Sequence, residues 1–330
     1  MKMVHDALCL SPGSVRGEKN GPIMLYRGVH SIKQIVFISS SGFVTLDALH
    51  WCSQQGISIV LMDKTGHLMY SCTPEPATYA ELRRLQYRTC GTDAGVSIAR
   101  EIVYRKTIAQ IVTLKTLAKS KYKQIFKKYR LKRVWSKPEW EILEDSLVEI
   151  LRMKEIREIR TLEARLAMIY WNAFTGIPIK WQTKDAKIVP PHWKEITERS
   201  SPLSSNNTGR RAINPFHAAL NYMYAVTEHQ LLGAIHLEGL DPACGFLHVD
   251  SLVYDLVEPL RSVVDGRVFS FFISTAFKRG DFTLTTDGHV MFNPELLRWL
   301  VTSCKLDETI SGGIVSWLKD FLLRSGGISS

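Results

Sequence analysis

Two stretches of this 330-residue chain put carboxylates where a folded protein would ordinarily have none, and a third concentrates positive charge. The first stretch is RTLEARLAMIYW, Arg160 to Trp171. Its apolar residues recur at helical spacing, and Leu162, Leu166 and Ala167 place Glu163 beside a semi-buried face. An isolated carboxylate is costly there, so Glu163 needs a partner. Arg160 or Arg165 would serve as a purely structural one, and a catalytic cation would serve equally well.

The second stretch, GLDPACGFLHVDSLVYDLVEPLRSVVD, runs from Gly239 to Asp265. His248 follows a Gly-Phe-Leu turn, and Asp255 and Glu258 are spaced to share one face of a helix. Pro259 should free the Asp255 carbonyl and kink that helix. One imidazole and two carboxylates suit magnesium or manganese. A capped surface helix beside a hydrogen-bonded histidine would leave the same pattern.

The third stretch, KTLAKSKYKQIFKKYRLKR, spans Lys115 to Arg133. It lies in a longer tract, Ile102 to Pro138, with twelve Lys or Arg residues and no acidic one. Such a tract neutralises phosphates without reading sequence. Lys115, Lys119, Lys123, Lys127 and Arg130 are candidate DNA-backbone contacts, with Arg160 and Arg165 closer to any reacting phosphate. Tyr122, Phe126 and Tyr129 interleave at helical spacing, which suits core packing better than base stacking.

The elements that must position these groups fall into two parts. Up to about residue 78 the sequence predicts a small, mainly β domain. Gln34 to Ser39 and Ser58 to Met62 are β-branched runs, and Thr45 to Gln55 is a short helix capped by Thr45 and ended at Gly56. Pro22, Gly28, Gly42 and an Asp63-to-Gly66 turn punctuate this part. Residues 79–97 form a linker. Residues 98–330 form a larger all-α domain, so the fold class is α+β. Ile102, Val103, Ile108, Val112 and Leu117 fit one helix. Leu143, Leu147, Ile150 and Leu151 begin another that continues through Ile159, Leu162, Leu166 and Ile169. A polar loop spans Pro190 to Arg211. Asn214 and Pro215 then start a helix that runs to about His236 and stops before Gly239.

Composition narrows the class. Hydrophobic content of 45% with 22% charged residues is ordinary for a globular protein with a substantial core. No stretch approaches the roughly 18 apolar residues of a membrane helix. Met1 to Leu10 is too short and too charged for a signal peptide, which makes the cytoplasm the expected compartment. Cys9, Cys52, Cys72, Cys90, Cys244 and Cys304 are scattered, which predicts reduced, mostly buried thiols rather than a zinc site. The net charge of +10 points to a polyanionic partner.

Together these motifs resemble the Cas-one family, the metal-dependent endonuclease and integrase of CRISPR adaptation. The resemblance rests on R-x-x-E-A-R-x-A-x-x-Y around Glu163, NPFHAALNYMYA at Asn214, GLDPACGFLH ending at His248, and SLVYDLVEPLR at Ser251, all in the family's order. GFVTLDALHWCSQQGISIVLMDKTGHL resembles its β domain, so the likeness spans roughly residues 20–300. It implies that Glu163, His248 and Glu258 hold Mg²⁺ or Mn²⁺ and are the catalytic residues, with Asp255 a secondary acidic position. The segment from His248 to Ser251 is shorter than the family's usual loop, which leaves Asp255 and Glu258 both open as third ligand. His217 stands where the family commonly has Asn. The resemblance further implies a homodimer formed through the β domain and a second, small adaptation protein. The DNA would be a short duplex with 3′-hydroxyl ends, joined to CRISPR repeat phosphodiesters. Alternatives on the same fold are a branched-DNA nuclease, a mobile-element integrase or a non-catalytic DNA-binding subunit.

Overall fold

The computed structural model describes residues 1–11, 21–38, 42–63, 68–72, 79–130, 137–197, 212–286 and 288–325. The chain opens with an antiparallel sheet of β1 (Lys2–Val4), β2 (Ala7–Leu10) and β3 (Ile23–Leu25). A second sheet follows, ordered β4 (Gln34–Ile38), β5 (Ser58–Met62) and β6 (Leu68–Cys72). β4 and β5 run parallel, so the chain must cross between them, and α1 (Leu46–Gln54) makes that crossing. The two expected runs and the expected helix are therefore present. Thr45 caps α1 by accepting from the Ala48 amide at 3.3 Å, and Gly56 supplies the left-handed turn after it with φ of 68°. Most of the Asp63-to-Gly66 turn, like Ser39, lies outside the described residues.

β5 joins two cores, because successive side chains of a strand face opposite ways. Ile57 and Ile59 pack with Leu8, Ile35, Trp51 and Cys52 in a small N-terminal cluster. Val60 and Met62 face instead into the large helical core.

That core is built from α2 (Ala80–Thr89), α3 (Asp93–Lys119), α4 (Lys123–Arg130), α5 (Glu139–Arg152), α6 (Ile156–Asn172), α7 (Pro215–Leu237), α8 (Leu252–Ser274), α9 (Pro294–Cys304) and α10 (Glu308–Ser325). α3 lies along α8, with α5 and α6 on its other sides, and α7 flanks α8. A short hairpin of β7 (Phe282–Leu284) and β8 (Val290–Phe292) interrupts an otherwise helical region.

Several expectations need correcting. The stretch 79–97, expected to be a linker, carries α2 and the start of α3, and α2 packs on α10. Gln86, buried, also ties α2 to the loop after α7 by donating to the carbonyls of Asp241 and Cys244. On α3, Ile108 and Val112 are exposed, whereas Ile98, Ile102, Lys106, Gln110 and Leu114 turn inward. The helix expected to continue from Leu143 to Ile169 is two, α5 and α6, separated at residues 153–155. Pro190 to Arg211 is not wholly a solvated loop: Pro191–Trp193 form a 3-10 turn with Trp193 fully buried, while residues 198–211 lie outside the described residues. Asn214 caps α7 through the Phe216 amide at 3.0 Å, with Pro215 in its first turn. Gly239 ends α7 with φ of 79°, and a side chain there would strike the Tyr79 ring. α8 runs on through Pro259.

Candidate active site

Glu163 projects from α6 and Glu258 from α8, and the two meet at a residue of a third helix, Lys106 of α3. The Lys106 ammonium pairs with Glu163 and lies 2.5 Å from Glu258 Oε2. The other Glu258 oxygen pairs with Arg261 at 2.8 Å. Arg261 stands one turn along α8, so both ends of that pair share a helix face. Burial alone would push the Glu258 carboxyl up; the Lys106 and Arg261 cations outweigh it and hold the group at about 2. Glu258 is thus ionised at any physiological pH. Burial lowers the basicity of Arg261, and Glu258 together with Tyr224, Glu228 and Asp265 more than restores it. Behind this cluster, buried Asp265 accepts from the Tyr170 hydroxyl at 3.0 Å and from the Tyr224 hydroxyl, tying α6 and α7 to α8.

His248 sits on the loop before α8, and Asp255 builds that loop. Fully buried, Asp255 accepts from the amides of Phe246 (2.5 Å), Leu247 (3.0 Å) and His248 (2.7 Å). It also faces His248 Nδ1 at 2.9 Å. Against a carboxylate, Nδ1 carries the proton of the neutral ring, which leaves the lone pair on Nε2. Gly245 makes the tight path possible, since a Cβ there would meet the His248 carbonyl at 2.1 Å. Arg160 fixes the outer side by donating from Nε to the Leu247 carbonyl at 2.8 Å. His248 is close enough to Glu258 for a charge on its ring to favour that carboxylate.

Asp255 and Glu258 therefore do different things on one helix. The oxygens of Asp255 are committed to the loop, whereas Glu258 faces Glu163 across a cation. Among the described residues, no three His, Cys, Asp or Glu side chains already surround one point. The cation between the two glutamates is an ammonium.

The sequence matches the family model CRISPR associated protein Cas1 over residues 6–305. The chain belongs to the Cas1 family. It is 31% identical over 251 residues to CRISPR-associated protein Cas1 3 of Methanobrevibacter ruminantium, covering 73% of this chain and 68% of the relative. It is 26% identical over 289 residues to CRISPR-associated endonuclease Cas1 1 of Archaeoglobus fulgidus, covering 83% and 78%. Among solved structures, a casposase bound to integration product matches with a TM-score of 0.72 at 22% identity, over 98% of this chain and 86% of its own. A Cas6-RT-Cas1–Cas2 complex matches with a TM-score of 0.64 at 16% identity, over 97% of this chain and 34% of the matched one.

The basic residues of this Cas1-family chain divide by environment. Lys115 pairs with Glu144, while Lys119 and Lys123 are exposed. Lys127 and Arg130 lie on α4, with side chains outside the description. Tyr122 and Phe126 are buried, each against Phe269, as core packing requires. Neither arginine expected to neutralise Glu163 does so: Arg160 is spent on the His248 loop, and Arg165 pairs with Glu149 at 2.5 Å. Lys106, the true partner, was hidden among the twelve basic residues of its tract. Its spacing from Ile102 and Val103 was the available clue, since that puts it on the buried face of the helix. Arg261, three residues after Glu258, carried a similar clue.

The described residues include no helix long and apolar enough to cross a membrane. The six cysteines are free, with Cys9, Cys52, Cys244 and Cys304 buried.

Proposed function

We propose that this chain is a CRISPR spacer-acquisition integrase that joins the 3′-hydroxyl ends of short duplex DNA to CRISPR repeat phosphodiesters. The observation that carries the reading is the meeting of Glu163 and Glu258, from separate helices, at one cation position beside the His248 loop. The donor set fits Mg²⁺ or Mn²⁺. Glu258 is held ionised, its Oε2 is buried without an aligned hydrogen bond, and the tautomer imposed by Asp255 leaves His248 Nε2 able to donate. Glu163, His248 and Glu258 would hold the ion, which supplies polarisation of the target phosphate and stabilisation of its developing charge.

The remaining roles belong to the chain. Asp255 holds His248 in orientation and tautomer. Arg160 braces the same loop from α6. Lys119, Lys123 and their neighbours on α3 and α4 hold DNA backbone. The names of similar proteins support the activity and partners: a relative is called an endonuclease, one structural neighbour is a casposase bound to integration product, and another is a complex containing Cas2. A second, small adaptation protein and a homodimer are part of this reading, as is a site in the cytoplasm.

The test is strand transfer of a labelled 3′-hydroxyl duplex into a supercoiled repeat plasmid, with Mn²⁺ or EDTA, and with or without the small partner. Glu163→Ala should lower transfer by about 10³-fold or more while DNA binding persists. Full transfer by that variant would refute the site. Nicking without repeat preference that still needs Glu163 would mark a branched-DNA nuclease or a mobile-element integrase. DNA binding without reaction would mark a non-catalytic subunit, a reading favoured by the short segment after His248 and by the ammonium already lodged between the glutamates.

A further inference from the structure

A buried ammonium needs an explanation, because its desolvation is costly unless ion pairs repay it. The side chain of Lys106 is 9% exposed and carried on the inward face of α3 with Ile102, Val103 and Gln110. Glu258 does not need it for neutrality, since Arg261 already pairs with that carboxylate. Asp255 does not need it either, being satisfied by three amides and the His248 ring. What Lys106 alone does is bridge Glu163 to Glu258, across the gap between α6 and α8. With Lys106 and Arg261 counted against the two glutamates, the cluster is neutral as it stands. A divalent ion entering beside the ammonium would add two uncompensated charges, whereas one replacing it would leave a single excess charge. The side chain of Glu163 is 25% exposed, so this edge of the cluster is open to an incoming ion.

We propose that Lys106 is a built-in counter-cation that competes with the divalent metal for the place between Glu163 and Glu258. It holds the two carboxylates at working separation in the metal-free protein and leaves that place when the metal enters. Lys106 is therefore a positioning residue that makes metal loading weaker and reversible. The inference rests on the reading that Glu163 and Glu258 are metal ligands.

Mn²⁺ titration of the full chain, followed by calorimetry and by the loss of free-ion paramagnetic resonance, tests it without an activity assay. Lys106→Met keeps the length of the side chain and removes its charge. It should bind Mn²⁺ about tenfold or more tightly than the wild type, because one positive charge within contact distance has gone. Its metal-free melting temperature should fall, and its rise on adding Mn²⁺ should exceed that of the wild type. Unchanged or weaker Mn²⁺ binding by the folded variant overturns the proposal. Should Lys106→Met fail to fold, the wild type labelled with ¹⁵N-lysine provides the answer. The Lys106 ammonium resonance, assigned by its absence in Lys106→Arg, must shift or exchange away on adding Mg²⁺, and a resonance that stays while Mg²⁺ binds overturns the idea. Failure of the parent reading looks different: wild-type Mn²⁺ affinity would then be the same in Glu163→Gln and Glu258→Gln.

Discussion

Lys106 and Lys119 stand on one helix, α3, and end in opposite surroundings. The first is buried between two carboxylates from other helices; the second projects into solvent where α3 ends and the basic tract continues into α4. The chemistry of the side chain is the same, so the difference lies in the medium. Two charges about 4 Å apart interact by about 1 kcal/mol in water and about 4 kcal/mol at the effective dielectric near a protein surface. Buried, a lysine acts on one site, and its removal is felt at a few named atoms. Exposed, it contributes to a diffuse field that salt can screen and that neighbouring lysines share. The net charge of +10 describes the second role and conceals the first.

If buried charges are specific, breaking one should be severe. Asp255→Ala strips acceptors from three loop amides and the His248 ring at once. A loss of about 3–5 kcal/mol in unfolding free energy is expected. A loss under 1 kcal/mol by denaturant titration would mean that water readily replaces the carboxylate and that the loop is not held as argued.

Acid should separate the two classes next. The folded-state value of Glu258, about 2, lies below its ordinary 4.5, so the carboxylate form is favoured by folding. Its contribution is complete above about pH 4.5 and is lost as pH falls toward 2, an effect on the order of 3 kcal/mol. Lysines stay charged throughout that window. Unfolding free energies of the wild type and Glu258→Gln should therefore converge as pH drops from 5 toward 2. Parallel curves would show that the buried cluster is not what acid attacks.

The contrast also explains what the sequence disclosed. Elements with strong local signals were legible: the β-branched runs of β4 and β5, the capped α1, and the Asn-Pro start of α7. β1, β2, β3 and β6 were not, because these short strands lack the β-branched runs of β4 and β5 and are specified by their partners rather than by themselves. The break between α5 and α6 was invisible because apolar spacing continues across it. At the site, Glu163, His248, Asp255 and Glu258 were visible as residue types in motifs, yet the partner of each was not. Lys106 lies 57 residues from Glu163 in sequence, and no local pattern announces a contact made only when α3, α6 and α8 pack. The separate duties of Asp255 and Glu258 likewise emerged only from where the loop folds.

At the exposed end of the comparison, effects should be smaller and depend on salt. Replacing Lys119 and Lys123 with Gln should lower the slope of log affinity for duplex DNA against log salt by up to about 0.9 per lysine, with little change in melting temperature. An unchanged slope would remove these residues from the DNA-binding surface.

The smallest effect expected belongs to Arg165 and Glu149, which sit 2.5 Å apart with side chains 53% and 42% exposed. Judged by distance alone, this pair equals Lys106–Glu258, which has the same 2.5 Å separation. By the argument from burial it should be far weaker, because water screens the attraction and both long side chains lose rotamer freedom to form it. A double-mutant cycle of Arg165→Ala and Glu149→Ala should give a coupling of about 0.2–1 kcal/mol in unfolding free energy, shrinking as salt is added. Coupling above about 2 kcal/mol that persisted in salt would mean that separation, not burial, sets the strength of these pairs. The division of lysines along α3 would then have to be argued on other grounds.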